Sequence, residues 1–315
     1  MKAPLSILSS GVVSAGGNST DALLYPENWP QTPLPRLINN TLSTSVAPVD
    51  LSTLSRWKKE PRFRRSTPLS LFLMEATAQA IQPLSSLDQV GLIVVTFTGS
   101  ITYSRRFYQE IVEGGARAAS PMMFPETVFN SPASHIAAQL QLGGPIYSLM
   151  GDESAWIAGL ETASLWIQLK QARSVVVVAG YEIDAMSIEA YHAAGWIRKG
   201  LISTEGAGAL LVGESTATSN AKIDYLDQGY LYRTREEFRK EKQRLEKKME
   251  GREILQAPWN PWTITTKTPS TPHCFGVSAA WKTILQAKSL SKTPSALPIY
   301  GCNHQAGWIG MSYSS

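Results

Sequence analysis

The sequence predicts a layered α/β fold, with helices both between and outside sheets. Three observations lead there. Val90–Phe97 (VGLIVVTF) and Ser174–Ala179 are short, continuous apolar runs rich in β-branched residues, the pattern of strands buried on both faces. Leu69–Ile81 (LSLFLMEATAQAI) and the segment 156–171 have helical composition with apolar residues on nearly all sides, so they read as buried helices. Buried strands and buried helices alternate along the chain, and such elements cover each other only as stacked layers.

Taken in order, Leu5–Val13 reads as a first strand, closed by the turn Ala15-Gly16-Gly17-Asn18. Residues 25–66 are rich in Pro, Ser and Thr, carry the basic run from Arg56 to Arg65, and read as irregular surface chain. The helix 69–81 and the strand 90–97 follow. Pro132–Gln141 reads as a helix, and the long helix 156–171 runs at once into the strand from Ser174. Ala207–Val212 is a further strand that begins in a Gly-x-Gly turn. Residues 233–250 form a charged helix with a narrow stripe of Phe238, Leu245 and Met249. Trp259–Thr271 is a Pro/Thr-rich loop, Gly276–Ser289 is helical, and Ile309–Tyr313 is a last strand.

Composition excludes several classes. No apolar run reaches the roughly 18 residues needed to span a bilayer. The N-terminal apolar stretch is broken from Ser9 onward, too early for a signal peptide, so the expected location is the cytoplasm and the sequons at Asn18 and Asn39 are chance matches. Two cysteines, Cys274 and Cys302, make neither a disulfide framework nor a zinc site, and each reads as a buried thiol. The four histidines, at 135, 192, 273 and 304, show no metal-ligand spacing, and no phosphate-binding glycine loop follows a strand. No cofactor is therefore expected. The net charge of +4 is concentrated between Arg233 and Arg252, which hold nine Lys/Arg and five Glu, and the rest is about neutral. That is not the broad basic field of a nucleic-acid-binding protein.

Six segments in order resemble the β-ketoacyl synthases of the thiolase superfamily, and in particular their chain-length-factor subunits. They are SGVVSAGGN (10–18), VGLIVVTFTGSI (90–101), SPMMFPETVFNSPASHIAAQLQLGGP (120–145), VVVVAGYEID (175–184), STEGAGALLVGES (203–215) and PHCFGVSAAW (272–281). The third, similar to the family's dimer-interface segment, is the best match. The resemblance covers most of the chain. It implies a single domain over residues 1–315 with the thiolase-like layered αβαβα fold, its C-terminal half truncated, since only 216–272 stand where the family has a longer stretch.

In the family the nucleophilic cysteine opens a long buried helix, where backbone amides stabilise its thiolate. Counted from Gly144-Pro145, Glu153 falls at that position, with Asp152 one residue away. Either way a carboxylate replaces the thiol, and an acylated carboxylate would be an anhydride. Trp156 stands where the family has a glycine and would fill space near the acyl tunnel. The loop carrying the family's first catalytic histidine is missing. His273 matches the second histidine with Pro272 before it, and Lys267 lies near the family's lysine position. Gly301–Gly307 occupies the family's gatekeeper loop, with Gln305 near the gating position. Against these roles stand plainer ones: Glu153 as a helix-capping acid, His273 as a vestigial histidine, His135 and His192 as structural or surface residues, and the helix 233–250 as a solvated face.

The expected function is a non-condensing, chain-length-factor-like partner of an active ketosynthase in type II fatty acid or polyketide, including aryl-polyene, biosynthesis. The alternative is an altered enzyme, such as a decarboxylase, acting on carrier-protein thioesters. The expected partners are a ketosynthase in a heterodimer, with a homodimer as fallback, and an acyl carrier protein. The expected interface residues are Phe124, Asn130 and Val177, with the strand Val175–Ala179 laid against its counterpart across the subunit boundary.

Overall fold

The computed structural model describes residues 4–34, 44–197, 201–214, 221–258, 271–289, 293–302 and 305–313. The expected loop 259–270, Lys267 and His304 lie outside the described residues.

The strands are β1 (Leu5–Val13), β2 (Thr32–Pro33), β3 (Ser45–Ala47), β4 (Val90–Thr96), β5 (Ile146–Met150), β6 (Ser174–Tyr181), β7 (Leu201–Thr204), β8 (Gly206–Gly213), β9 (Ala221–Leu231), β10 (Glu253–Ile254), β11 (Thr271–His273), β12 (Ser295–Tyr300) and β13 (Gln305–Tyr313). The helices are α1 (Ser55–Lys58), α2 (Pro68–Ile81), α3 (Ile101–Gly114), α4 (Ser131–Leu140), α5 (Glu153–Gln168), α6 (Ala185–Ala193), α7 (Arg235–Lys248) and α8 (Ser278–Ser289). Nine strands form one sheet in the order β10-β12-β13-β9-β1-β8-β6-β4-β5, and a four-stranded sheet runs β11-β7-β3-β2.

The layers follow from which strand faces are apolar. Along β4, β6 and β8 both residue sets are buried. Ile93, Val95, Val175, Val177, Leu210 and Val212 face α5 and α8, while Leu92, Val94, Val176, Val178, Ala209 and Leu211 face α2 and α4. The other side of α5 and α8 is covered by Ile223 and Leu226 of β9, Leu297 and Ile299 of β12, and Ile309 and Met311 of β13. On the outer face of those strands lie Leu245 and Met249 of α7, against Ala296, Trp308 and Tyr225. Five layers result, αβαβα, as expected. The sheet doubles back where β1 passes between its halves: its first residues pair with β9 and its length pairs with β8, with a register shift between Ile7 and Ser9.

Local chemistry sets the helix starts. Thr67 caps α2, its hydroxyl accepting from Ser70 N at 3.2 Å, and Pro68 follows at the position where a missing N–H costs nothing. α7 opens on a capping box of Thr234 and Glu237.

Three expectations are corrected. Residues 25–66 are not merely surface chain: Trp29, Val46, Ala47, Val49, Leu54 and Phe63 are buried. α3, β5, α6, β9 and β12 were not expected from the sequence pattern. Val177 cannot lie at a subunit interface, because β6 is paired along both edges, with Val177 opposite Ile93 of β4 and Leu210 of β8, and its side chain is 0% exposed. The open edge belongs to β5, which pairs with β4 on one side and ends the sheet. Its Ile146, Tyr147 and Met150 are 45%, 50% and 51% exposed. Beside it, α3 buries none of its residues in this chain, and Tyr108 and Val112 stand in solvent.

Candidate functional site

The turn between β5 and α5 delivers two adjacent carboxylates to the interior. Asp152 is the N-cap of α5: its Oδ1 accepts from Ser154 N at 3.1 Å and from Ser154 Oγ at 2.8 Å. Glu153, the first residue of α5, points the other way, to the start of α8. Its Oε1 accepts from Gly276 N at 3.0 Å and its Oε2 from Ala279 N at 3.3 Å. His273 Nε2 stands 3.2 Å from Glu153 Oε1. The two capping roles are thus divided, with Asp152 serving its own helix and Glu153 the helix facing it. Negative charge at the N-terminus of α8 is favourable there.

His273 is placed by β11, which runs parallel to β7 with His273 opposite Ser203. Phe275 lies edge-on to the imidazole, ring centroids 4.6 Å apart. Around Phe275 gather Phe97, Tyr181 and Tyr191, with Trp196 against Phe97 and Tyr191. Trp156, one turn into α5, is fully buried and donates from Nε1 to Thr283 Oγ1 of α8 at 3.2 Å. Aromatic rings therefore occupy the interior beside Glu153. Asp152 and Glu153 are each 2% exposed and His273 is 3% exposed. Water and solutes have no direct contact with the pair.

The loop after β12 closes the other side. Gly301 N donates to Gln305 O at 2.7 Å, and the Ser154 hydroxyl, shared with Asp152, lies 2.5 Å from the Gln305 side-chain amide. A Cβ at Gly301 would stand 2.4 Å from Asp152 Oδ2, so any larger residue there would displace the Asp152 carboxylate. Tyr232 and Phe238, on the chain entering α7, stack edge-on with centroids 5.0 Å apart and pack with Tyr300 and Cys302 above this loop. Gln305 thus belongs to the same network as Asp152, while Phe124 and Asn130 lie exposed on the segment beside α3, away from the carboxylates. His135 pairs with Glu126 at 2.9 Å. The backbone amides of Gly276 and Ala279, and the side chains of Ser154, Tyr232 and Cys302, complete the site; the first two lie in the segment 272–281 and Cys302 in the loop 301–307, yet nothing in the sequence assigns them a part in it.

Both cysteines are chemically quiet. Burial pushes the Cys274 thiol well above its ordinary range, and the Glu153 carboxylate adds to the effect. Cys302 is raised by burial, then by Asp152 and Glu153. Neither forms the thiolate that attacks a thioester. Incubation with acyl carrier thioesters is accordingly expected to leave the mass of the intact chain unchanged, and a stable acyl adduct on Cys274 or Cys302 would contradict this assignment. Among the described residues no group of His, Cys, Asp and Glu is disposed to hold a metal ion.

A third carboxylate nearby is a structural brace with a titration of its own. Glu205, after β7, accepts from Val49 N at 3.0 Å and Ile183 N at 2.9 Å. Burial raises its pKa from the ordinary 4.5 to about 7, with Glu182 adding to the rise and the two amides opposing it. The folded chain then holds this proton more tightly than the unfolded chain does. The stability it contributes is complete below pH 4.5 and is lost as pH rises through 7, by about 3 kcal/mol. Glu205→Gln should lack that slope, so the difference in unfolding free energy between the two proteins should change steadily when measured from pH 5 to 8. Parallel pH profiles for the two proteins would show that Glu205 titrates normally.

No family model and no curated protein sequence matches this chain. Solved structures do. The ishigamide ketosynthase/chain length factor superposes with a TM-score of 0.80 at 13% identity, covering 99% of this chain and 100% of that one. A type II polyketide synthase acyl-carrier protein in complex with its ketosynthase bound to the hexaketide gives 0.78 at 11% identity, covering 100% of both. A β-ketoacyl synthase from Burkholderia phymatum gives 0.77 at 13% identity, with 99% and 100% covered. The chain therefore has the thiolase-type fold of ketosynthases and chain length factors. At these identities the likeness is one of architecture, and what the chain does has to be argued from its own site.

Proposed function

We propose that the chain is a non-condensing, chain-length-factor-like partner subunit of an active ketosynthase in type II fatty acid or polyketide biosynthesis, aryl-polyene assembly included. In this reading residues 1–315 act as one unit in the cytoplasm, shaping the partner's acyl tunnel or stabilising the partner. The observation that carries it is Glu153. At the turn where a condensing enzyme would need a nucleophile, a carboxylate is buried and committed to Gly276 N, Ala279 N and His273. No helix among the described residues is long and apolar enough to cross a membrane.

The surface supports pairing. Among the described residues the outer edge of β5 has no strand beside it, and an apolar sheet edge is an aggregation hazard until it is paired. Ile146, Tyr147 and Met150 on that edge are exposed, as are Met122, Phe124, Val128 and Phe129 of the expected interface segment. The edge to be paired is β5, in place of the strand Val175–Ala179. An obligate interface of this kind buries more than roughly 2,000 Å². A heterodimer is preferred over a homodimer, because only a partner with its own nucleophile makes a productive pair. An acyl carrier protein is the second expected partner. The alternative, decarboxylation of malonyl thioesters, needs a donor free to polarise a carbonyl, and His273 is buried against Glu153.

Co-expression tests the proposal. A ketosynthase encoded beside this chain should co-purify with it in a 1:1 complex and be less soluble or less productive without it. Tyr147→Asp should abolish the complex while leaving the chain folded. A well-behaved monomer at micromolar concentration that ignores the ketosynthase would sink the idea.

A further inference from the structure

The charge of the chain is distributed differently from what its sequence suggests. On the basic helix α7 four cations are paired, three with acids of the helix and one with β9: Lys240 with Glu236, Lys242 with Glu246, Arg244 with Glu241, and Lys248 with Asp227. A denser group of cations outside these ion pairs lies between residues 58 and 65. Lys58, Lys59, Arg62, Arg64 and Arg65 are all exposed or nearly so, and none takes part in an ion pair among the described residues. Arg56 alone in this run is neutralised, by Glu75 at 2.6 Å.

Three of these side chains are gathered by the fold. Phe63 is fully buried and packs beside Trp57 and His135, centroids 6.4 Å and 6.0 Å away. With Phe63 turned inward, Arg62, Arg64 and Arg65 are left on the rim. They line one wall of a cleft of about 530 Å³, whose other wall is Pro121, Met122, Pro125 and Glu126. Arg65 Nη1 reaches across to Met122 Sδ at 3.1 Å. Pro61, Pro121 and Pro125 restrict the backbone of both walls. Glu126, the only acid in the lining, is buried and already pairs with His135. The cleft therefore has a preset shape and an excess of guanidinium groups that repel one another until an anion joins them.

We propose that this cleft is a binding site for a small phosphate-bearing ligand, separate from the closed carboxylate site. Guanidinium forks match phosphate oxygens in pairs, whereas they gain nothing from facing each other. The volume lies within the roughly 300–1,000 Å³ of small-molecule sites. Concavity distinguishes the cleft from α7, whose cations project from a convex, self-paired surface. The proposal does not depend on a ketosynthase partner, and the isolated chain suffices to test it.

Inorganic phosphate and pyrophosphate are the probes, titrated calorimetrically into the full chain at fixed ionic strength. Pyrophosphate should bind saturably at one site and more tightly than phosphate. The triple variant Arg62→Gln, Arg64→Gln, Arg65→Gln should weaken it by at least about tenfold. The corresponding lysine variant, which keeps the charge but not the fork and preserves solubility should the first fold poorly, should weaken it measurably too. Lys240→Gln, Lys242→Gln and Lys247→Gln on α7 together remove the same number of surface charges and should leave binding unchanged. The proposal is overturned by non-saturable binding, by equal losses in the α7 control, or by a polyglutamate peptide that outcompetes pyrophosphate, which would assign the cleft to an acidic protein face.

Discussion

Val177→Asp is expected to leave no folded chain to study. Val177 sits mid-sheet, hydrogen-bonded strands on both sides, with Gly159 of α5 packed directly over it; a Cβ on that glycine would come within 2.9 Å of Val177 Cγ1. A carboxylate there has neither water nor a partner. It must either ionise in an apolar layer or take up a proton and remain without hydrogen bonds, and both cost several kcal/mol. The loss, on the order of 5 kcal/mol or more, is comparable to the whole stability of an ordinary domain. Tyr147→Asp makes the contrast. Tyr147 is half exposed at the sheet edge, so aspartate there should leave the circular dichroism spectrum and melting temperature nearly unchanged while abolishing assembly. The pair of variants separates folding from association. A Val177→Asp chain that stays native and merely falls to monomer would place the subunit boundary at β6 after all.

The same two positions show how far the sequence could be read. VVVV announces a buried strand, and β6 is one, because a continuous β-branched run has no other stable placement in water. What it does not announce is whether the strand lies at the middle or the edge of its sheet, since that depends on which other segments arrive beside it. β5 carried the edge, yet IYSLM is five residues long and mixes apolar and polar side chains without clear alternation. α3 escaped notice for a related reason. Its Tyr108 and Val112 are largely exposed and its packing is confined to short neighbouring segments such as Phe124, so it does not read as a core helix. Of the site, Glu153 and His273 were legible because each falls at a fixed point in a motif, although 120 positions separate them. Their closure was not. It is made by the amides of Gly276 and Ala279, which any residue type could supply, by Tyr232, whose segment carries no motif, and by Cys302, which the loop 301–307 does not single out.

Glu153→Ala is expected to destabilise the chain by about 2–5 kcal/mol, since it leaves buried backbone donors without their acceptor. Two amides lose their acceptor at once, those of Gly276 and Ala279, and the imidazole of His273 loses its close neighbour. Each lies too deep for bulk water to replace the carboxylate, and an unsatisfied buried donor costs roughly 1–3 kcal/mol. The truncation also leaves a void beside Trp156, which cannot collapse easily because Trp156 is held to Thr283. A fall in melting temperature of roughly 10 °C would follow for a chain of this size. Glu153→Gln keeps the shape and one carbonyl acceptor, so it should lose less than half as much. A condensing site cannot use its nucleophile position in this way, since a group locked into two helix amides and an imidazole is not available to attack or to leave. If Glu153→Ala instead matched the parent chain in a denaturant titration, within about 1 kcal/mol, the carboxylate would be dispensable to the fold, and the argument that it has exchanged chemistry for structure would fail with it.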